Sequence, residues 1–437
     1  MEFAIIKVRN GKKRWGWVGG LVAVLWAVGG GQGQAQMNGS GQPDCAWQVR
    51  LGPEHTNAFF PDTSAAYWIM RYEVQPGLKI RLHGTFPESR FASFTVYKDG
   101  GGTFVAGDGL ASDITDYEMV PAVGSANPWA EAGATPGGAF ELLLEANPAR
   151  QAGVNVLPLA PDDAEAGAGG SLVYRVYVAR TGNFDEVPLP RVTLEVEGQE
   201  PRVIPACASS VEADESWAHE SWVEEYLSDM QKLPPALAAP PVNDVRFFLP
   251  YRDDSLGPNE DSGYLLSQLV PPRGEQVLVV RGLAPQQVSG GLPSVWPDAA
   301  ADMRYWSICS NLALVQRPVV VNVLEDGSVD YGCRYDDEVA LDAAGYYTVV
   351  VGTEAQRARI EAVHGVTFVP FSNAWPRVPH LVLLRNMLVS EGFEYAVQNV
   401  GAPNDPERAA RDMGAYYPQA TLCELAVLRK LGAEACF

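Results

Sequence analysis

The chain carries no motif that announces a chemistry. It has no G-x-S-x-G elbow, no H-E-x-x-H zinc pair, no glycine-rich phosphate loop and no dinucleotide fingerprint, so the best-marked hydrolase, metalloprotease and nucleotide-binding classes find no support. Histidine is scarce. The five present, His55, His83, His219, His364 and His380, include no two in metal-ligand spacing. No pair of cysteines has C-x-x-C spacing, which argues against a zinc knuckle or a thiol-redox centre. Positive charge is also short, with 32 Lys and Arg against 53 Asp and Glu and a net charge of −21. So acidic a chain repels phosphate backbones and anionic lipid, and nucleic acid is not an expected partner.

Long apolar runs are missing except near the start. Lys7, Arg9, Lys12, Lys13 and Arg14 precede an apolar stretch at 17–29, and small residues follow at Gly33-Gln34-Ala35. This is the layout of an export signal over residues 1–35. The apolar stretch is short against the roughly 20 residues a membrane span needs. Removal of a segment with five basic residues and one acid leaves a mature chain of net charge −25. The expectation is a protein released to the periplasm or the cell exterior, with no stable membrane span after cleavage.

What is present begins with six cysteines, all in the mature part. An even count in an exported chain points to disulfides. Cys309 and Cys333 sit in neighbouring strand-like segments, and Cys423 and Cys436 bracket a helical run. Locality therefore predicts 309–333 and 423–436, which leaves Cys45 with Cys207.

A repeat is also present. Residues 78–97 (LKIRLHGTFPESRFASFTVY) and 277–309 share an alternating apolar run, then His83-Gly84 or Arg281-Gly282, then Pro87 or Pro285. Each copy continues to Arg-aromatic-x-Ser: Arg90-Phe91-Ala92-Ser93 and Arg304-Tyr305-Trp306-Ser307. Short alternating segments punctuated by Gly, Pro, Asp and Asn run through both halves, as antiparallel sandwiches require. The expected fold is mainly β with some helix: two related, jelly-roll-like antiparallel sandwiches at 45–205 and 245–437. A Trp-bearing helix and a Pro-rich linker at 206–244 would join them, and helical pieces near 390–400 and 423–432 would close the chain.

The pieces NAFFPDTSAAYW, GTFPESRFASFTVY, ASDITDYEMVP, MRYWSICSN, DAAGYYTVVVG, LLRNML and MGAYYP, taken in order, resemble a family of exported bacterial β-sandwich proteins with no assigned activity. The Ser-bracketed aromatic strands are more distantly similar to the sandwich part of another group of envelope proteins. The resemblance covers most of the mature chain. It implies the fold and export and carries over no catalytic residue.

Three features are candidates for chemistry. Arg90 and Arg304 precede an aromatic on a strand, and a guanidinium there can pin a carboxylate or meet an anionic ligand. Their duplication favours the structural role. Acidic loops at Asp253, Asp254 and Asp261, and at Asp336, Asp337 and Glu338, are weak calcium candidates, because calcium takes six to eight oxygens; no other cofactor is expected. Aromatic residues are abundant, with 11 Trp and 17 Tyr. Arg304, Trp306, Trp296, Trp375 and Arg385 combine stacking faces with fixed positive charge, and they are the expected ligand contacts for a small molecule or glycan. The functional expectation is an exported, acidic, disulfide-bonded binding protein without catalysis. The alternatives are an envelope assembly protein, or a hydrolase or lyase whose site is built from scattered residues.

Overall fold

The protein is described by a computed structural model over residues 42–99, 101–149, 153–208, 245–250, 259–314 and 316–437. The expected export segment, nearly all of the expected linker (209–244), and Asp253 and Asp254 lie outside the described residues.

The first half contains β1 (Val49–Leu51), β2 (Ala65–Glu73), β3 (Leu78–Thr85), β4 (Ser89–Lys98) and a small hairpin of β5 (Val105–Ala106) and β6 (Leu110–Ala111). It continues with β7 (Asp113–Thr115), β8 (Ala139–Glu145), β9 (Val156–Pro158), β10 (Gly169–Ala179), β11 (Arg191–Val196) and β12 (Arg202–Ile204). The second half holds β13 (Ser262–Leu269), β14 (Gln276–Leu283), β15 (Met303–Leu312), the hairpin of β16 (Val321–Val323) and β17 (Val329–Tyr331), and β18 (Cys333–Tyr335). After these come β19 (Tyr346–Gly352), β20 (Thr367–Pro370), β21 (His380–Val389) and β22 (Gln419–Glu424). Among the described residues, three short helices belong to the second half: α1 (Glu354–Glu361), α2 (Pro406–Met413) and α3 (Leu425–Leu431).

The two halves repeat one topology. Lobe 1 pairs a β1-β2-β10-β4-β7 sheet with a β12-β11-β3-β8-β9 sheet, and lobe 2 pairs β13-β21-β15-β18 with β20-β19-β14-β22. The four-strand orders β2-β10-β4-β7 and β13-β21-β15-β18 match one to one. So do β11-β3-β8-β9 and β22-β14-β19-β20, down to the parallel edge pairs β8/β9 and β19/β20. Register carries the match to single residues. Ser93 faces Arg175 and Thr115 on its neighbours, and Ser307 faces Arg385 and Tyr335.

The repeated glycine has a packing reason. Gly84 lies opposite Phe140, and Gly282 lies opposite Tyr347. A Cβ on Gly84 would come within 2.3 Å of the Phe140 ring, and one on Gly282 within 2.7 Å of the Tyr347 hydroxyl. In both lobes an aromatic ring therefore covers bare backbone across the strand pair.

The lobes are joined face to face by their β4- and β15-bearing sheets. Every residue of β15 is buried, and so is every residue of β4 except Lys98. Ala92, Phe94 and Val96 point into the lobe 1 core, and Trp306 and Ile308 into that of lobe 2. The opposite faces meet in a shared cluster that includes Phe91, Tyr177, Tyr305 and Met387. A sheet with apolar side chains on both faces is stable only when both are covered.

Three disulfides close Cys45–Cys207, Cys309–Cys333 and Cys423–Cys436. They fit an oxidising compartment. No described helix is long and apolar enough to cross a membrane.

Some sequence expectations need correction. Residues 390–400 form turns and a single 3-10 turn rather than a helix. Cys423 lies in β22, not in a helix, and only the segment from Leu425 is helical. Two helices were missed. In α2, Asp405 accepts the Arg408 N–H at the N-cap with Pro406 as the first helical residue; in α1, a Thr353/Gln356 capping box starts the helix. Both carry local start signals.

Candidate functional site

The paired arginines lie in the seam between the lobes and are fully buried. Arg90 Nη1 of lobe 1 donates to Asp336 Oδ1 of lobe 2 at 2.6 Å, and Arg304 Nη1 of lobe 2 donates to Asp116 Oδ1 of lobe 1 at 2.7 Å. Each carboxylate uses its other oxygen to cap its own lobe. Asp116 Oδ2 accepts the Ala92 N–H at 2.7 Å, and Asp336 Oδ2 accepts the Trp306 N–H at 2.9 Å. Ala92 and Trp306 each lie two residues beyond their lobe's Arg, so the two halves of the seam are reciprocal. Both carboxylates occupy the first position of a 3-10 turn, Asp116–Glu118 and Asp336–Glu338. Burial pushes Asp116 and Asp336 up to about 6, against the pull of the opposing guanidinium and the capping amides.

A second strut is one-sided. Arg385 Nη1 pairs with Asp62 of lobe 1, which also accepts the Ser307 hydroxyl at 2.7 Å, and Arg385 Nη2 donates to the Phe60 carbonyl at 2.9 Å. By register the lobe 1 counterpart of Arg385 is Arg175. It donates to the Thr95 hydroxyl at 2.6 Å and to the Tyr97 hydroxyl.

The expected ligand contacts are thus mostly interior. Arg304, Arg385 and Trp306 are at most 1% exposed and Trp296 5%. Trp296 packs with Val288 and Ala301 and donates its backbone N–H to the Trp129 carbonyl at 2.8 Å. Arg304 lies within 6 Å of the Phe91, Trp129 and Trp296 ring centres. Trp375 is half-buried against the cluster of Leu312, Leu314, Val320 and Val378. The five residues do not form one surface, because sheet-on-sheet packing encloses four of them. In the acidic loop at 336–338, Arg90 holds Asp336 and Asp337. Asp261 lies in the seam, 8% exposed.

Two of the described histidines have structural partners. His380 is buried, accepts the Ser372 N–H at 3.0 Å and lies 2.9 Å from the Val378 carbonyl; burial lowers it to about 4, so it stays neutral. His83 faces Glu141 at 3.3 Å, as Arg281, its counterpart, meets Asp342 at 2.7 Å.

One recess combines an opening with unanswered polar groups. It lies at the β14/β15 side of lobe 2, lined by Leu283, Pro285, Trp306, Tyr347, Tyr395 and Tyr416 among others. Tyr395, 39% exposed, stacks on Tyr416 with ring centres 5.5 Å apart. Deeper in, the Trp306 and Tyr347 rings are 5.2 Å apart. Trp306 Nε1 and the Tyr347 hydroxyl are buried with no hydrogen-bond partner among the described residues. A buried donor left so costs about 1–3 kcal/mol; the interior holds others, among them Arg304 Nη2 and the Tyr174 and Tyr305 hydroxyls, but these two are the ones that line the recess. Of the residues lining the recess, Trp306 is among the ligand contacts expected from the sequence, and Tyr347 and Tyr395 are not. The only available signal for those was aromatic identity. A wider cleft on lobe 1, near Pro87, Pro136 and Pro188, is bordered by the Glu88–Arg180 ion pair, and it has no unpartnered buried group among its lining residues.

No family model and no curated protein matches the chain. Among solved structures, an uncharacterised protein from Burkholderia cenocepacia is similar at 14% identity and a TM-score of 0.48, covering 94% of this chain and 88% of its own. A Vibrio parahaemolyticus protein is similar at 12% identity and a TM-score of 0.39, covering 83% of this chain and 89% of its own.

Proposed function

We propose that the chain is an exported, non-catalytic binding protein whose ligand seat is the aromatic recess of lobe 2. The observation that carries this reading is the pair of unpartnered buried groups, Trp306 Nε1 and the Tyr347 hydroxyl, behind the Tyr395–Tyr416 stack. An indole N–H only donates and a phenol can donate, so the matching ligand presents hydrogen-bond acceptors. Flat rings at the mouth suit a ligand with an apolar face. The net charge of −21 disfavours an anion. The recess has a volume of about 10 Å³ and admits only a water-sized group, so the ligand that fits is a neutral sugar resting on the Tyr395–Tyr416 stack with one hydroxyl group in the recess, which makes the terminal residue of an envelope glycan the preferred ligand.

Saturation-transfer NMR on the mature protein, with methyl N-acetylglucosaminide and methyl glucoside as probes and acetophenone as a non-sugar comparator, tests the reading. The expected result is contact with a glycoside that is lost in both Tyr395→Ala and Tyr416→Ala. Contact with acetophenone alone would remove the glycan. No contact with any probe, or contact unchanged in both variants, would overturn the seat.

A further inference from the structure

The duplicated fold places a concavity at the same corner of each lobe. The lobe 2 recess opens beyond the end of β14, at Leu283 and Pro285, and beyond the end of β21, at Phe393 and Tyr395. The lobe 1 cleft opens beyond the end of β3, at Thr85 and Pro87, and beyond the end of β10, at Arg180 and Asn183. β3 and β14 are counterparts in the sheet orders, and so are β10 and β21. The two hollows differ in size and lining. The recess holds about 10 Å³ and is ringed by aromatic side chains, whereas the cleft holds about 230 Å³ and carries charge.

The cleft is built to keep its shape. Its floor consists of Phe86, Pro87, Ala179 and Val187, all buried. Backbone bonds tie its segments together: the Phe86 N–H donates to the Gly138 carbonyl at 2.8 Å, the Gly137 N–H to the Phe86 carbonyl at 3.0 Å, and the Arg180 N–H to the Glu88 carbonyl at 2.9 Å. Asn183 accepts the Asp185 N–H at 3.0 Å and fixes the 3-10 turn Phe184–Glu186 beside it. The charged lining residues, Glu88, Arg180 and Glu186, are all exposed and form the rim. Arg180 Nε donates to Glu88 Oε2 at 2.5 Å, and Nη1 and Nη2 have no partner among the described residues. A guanidinium has two donor edges, and the unused one matches a carboxylate. Glu186 Oε1 accepts the Asn183 amide at 3.2 Å, which leaves Oε2 open.

We propose that this cleft is a second binding site and that it takes a small zwitterion, a free α-amino acid with an aliphatic side chain. The side chain lies on the apolar floor, the carboxylate on the open edge of Arg180, and the ammonium at Glu186. A volume below the roughly 300–1,000 Å³ of pockets for drug-sized ligands limits the occupant to about this size. A zwitterion has no net charge and meets no repulsion from a chain of net charge −21, whereas a plain carboxylate does. The cleft shares no lining residue with the lobe 2 recess, so the two sites stand or fall separately.

Ligand-observed NMR line broadening on the mature protein tests this, with L-leucine, N-acetyl-L-leucine and L-leucinamide as probes. L-leucine is expected to broaden. The other two, each lacking one charge, should bind at least about tenfold more weakly, because a charge-assisted bond is lost. Arg180→Gln and Glu186→Gln should each weaken L-leucine by a similar factor; both side chains are exposed, so neither change disturbs the core. Glu88→Gln breaks the ion pair but leaves the open edge of Arg180, and it should keep L-leucine bound. Tyr395→Ala, in lobe 2, should keep it bound as well. The proposal is overturned if no probe broadens, if the three bind alike, or if L-leucine binds Arg180→Gln or Glu186→Gln unchanged. Loss of L-leucine in Glu88→Gln would mean that the ion pair only shapes the cleft, and loss in Tyr395→Ala would move the site to lobe 2; either result overturns it too.

Discussion

At the scale of single residues, the seam carboxylates do more than neutralise arginine. Asp116 answers Arg304 and the backbone N–H groups of Ala92 and Tyr117. Asp116→Ala would leave a buried guanidinium and two amides unsatisfied, and it is expected to cost about 3–5 kcal/mol. Arg304→Met leaves the carboxylate with both amides and the freedom to take a proton, so its cost should be clearly smaller. Urea midpoints of the two variants check the order. Equal losses would mean that the ion pair, not the capping, dominates. The duplication of Arg-aromatic-x-Ser made a structural role for both arginines legible in the sequence. Their partners were not, because Asp336 and Asp116 lie 246 and 188 residues away along the chain, and no local pattern records a contact between lobes.

At the scale of elements, strand identities were legible wherever alternation was strong, as in β3, β8 and β11. β15 misled in one respect. Arg304 and Trp306 were expected to meet a ligand, yet both faces of β15 are covered and the two are interior, as is Arg385 on β21. Helices were the weakest reading. The runs of apolar residues at 390–400 imitate helical spacing, but Asn386 holds that segment as a turn, accepting the Val397 N–H and taking the Gln398 amide on its carbonyl. The glycine pair gives an element-scale prediction. Gly84→Ala forces the Phe140 ring off the strand pair, and overpacking of this kind costs about 1–3 kcal/mol. Gly282→Ala should cost a comparable amount through Tyr347. Chemical denaturation of each variant measures both, and a neutral Gly84→Ala would show that the ring can move aside cheaply.

At the scale of the whole molecule, the shared cluster and the buried struts couple the lobes. Differential scanning calorimetry of the mature protein with its disulfides intact is expected to show one transition rather than two, since neither lobe can keep its β4 or β15 sheet covered alone. Two resolved transitions would mean that the seam is weaker than the cores. The reciprocity of that seam has an ancestry written into it. A surface on which Arg meets the other copy's Asp, while its own Asp meets the other copy's Arg, is self-complementary in the way a two-fold homodimer must be. One lobe, expressed alone as a shorter chain, would carry both halves of the handshake, and tandem fusion of two such chains yields this protein. Once fused, the copies were free to diverge at a single contact. Asn259 of lobe 2, which by the register of Tyr67 and Tyr264 takes the place of Asp62 in lobe 1, is such a divergence, a difference that no symmetric pair of identical subunits can hold.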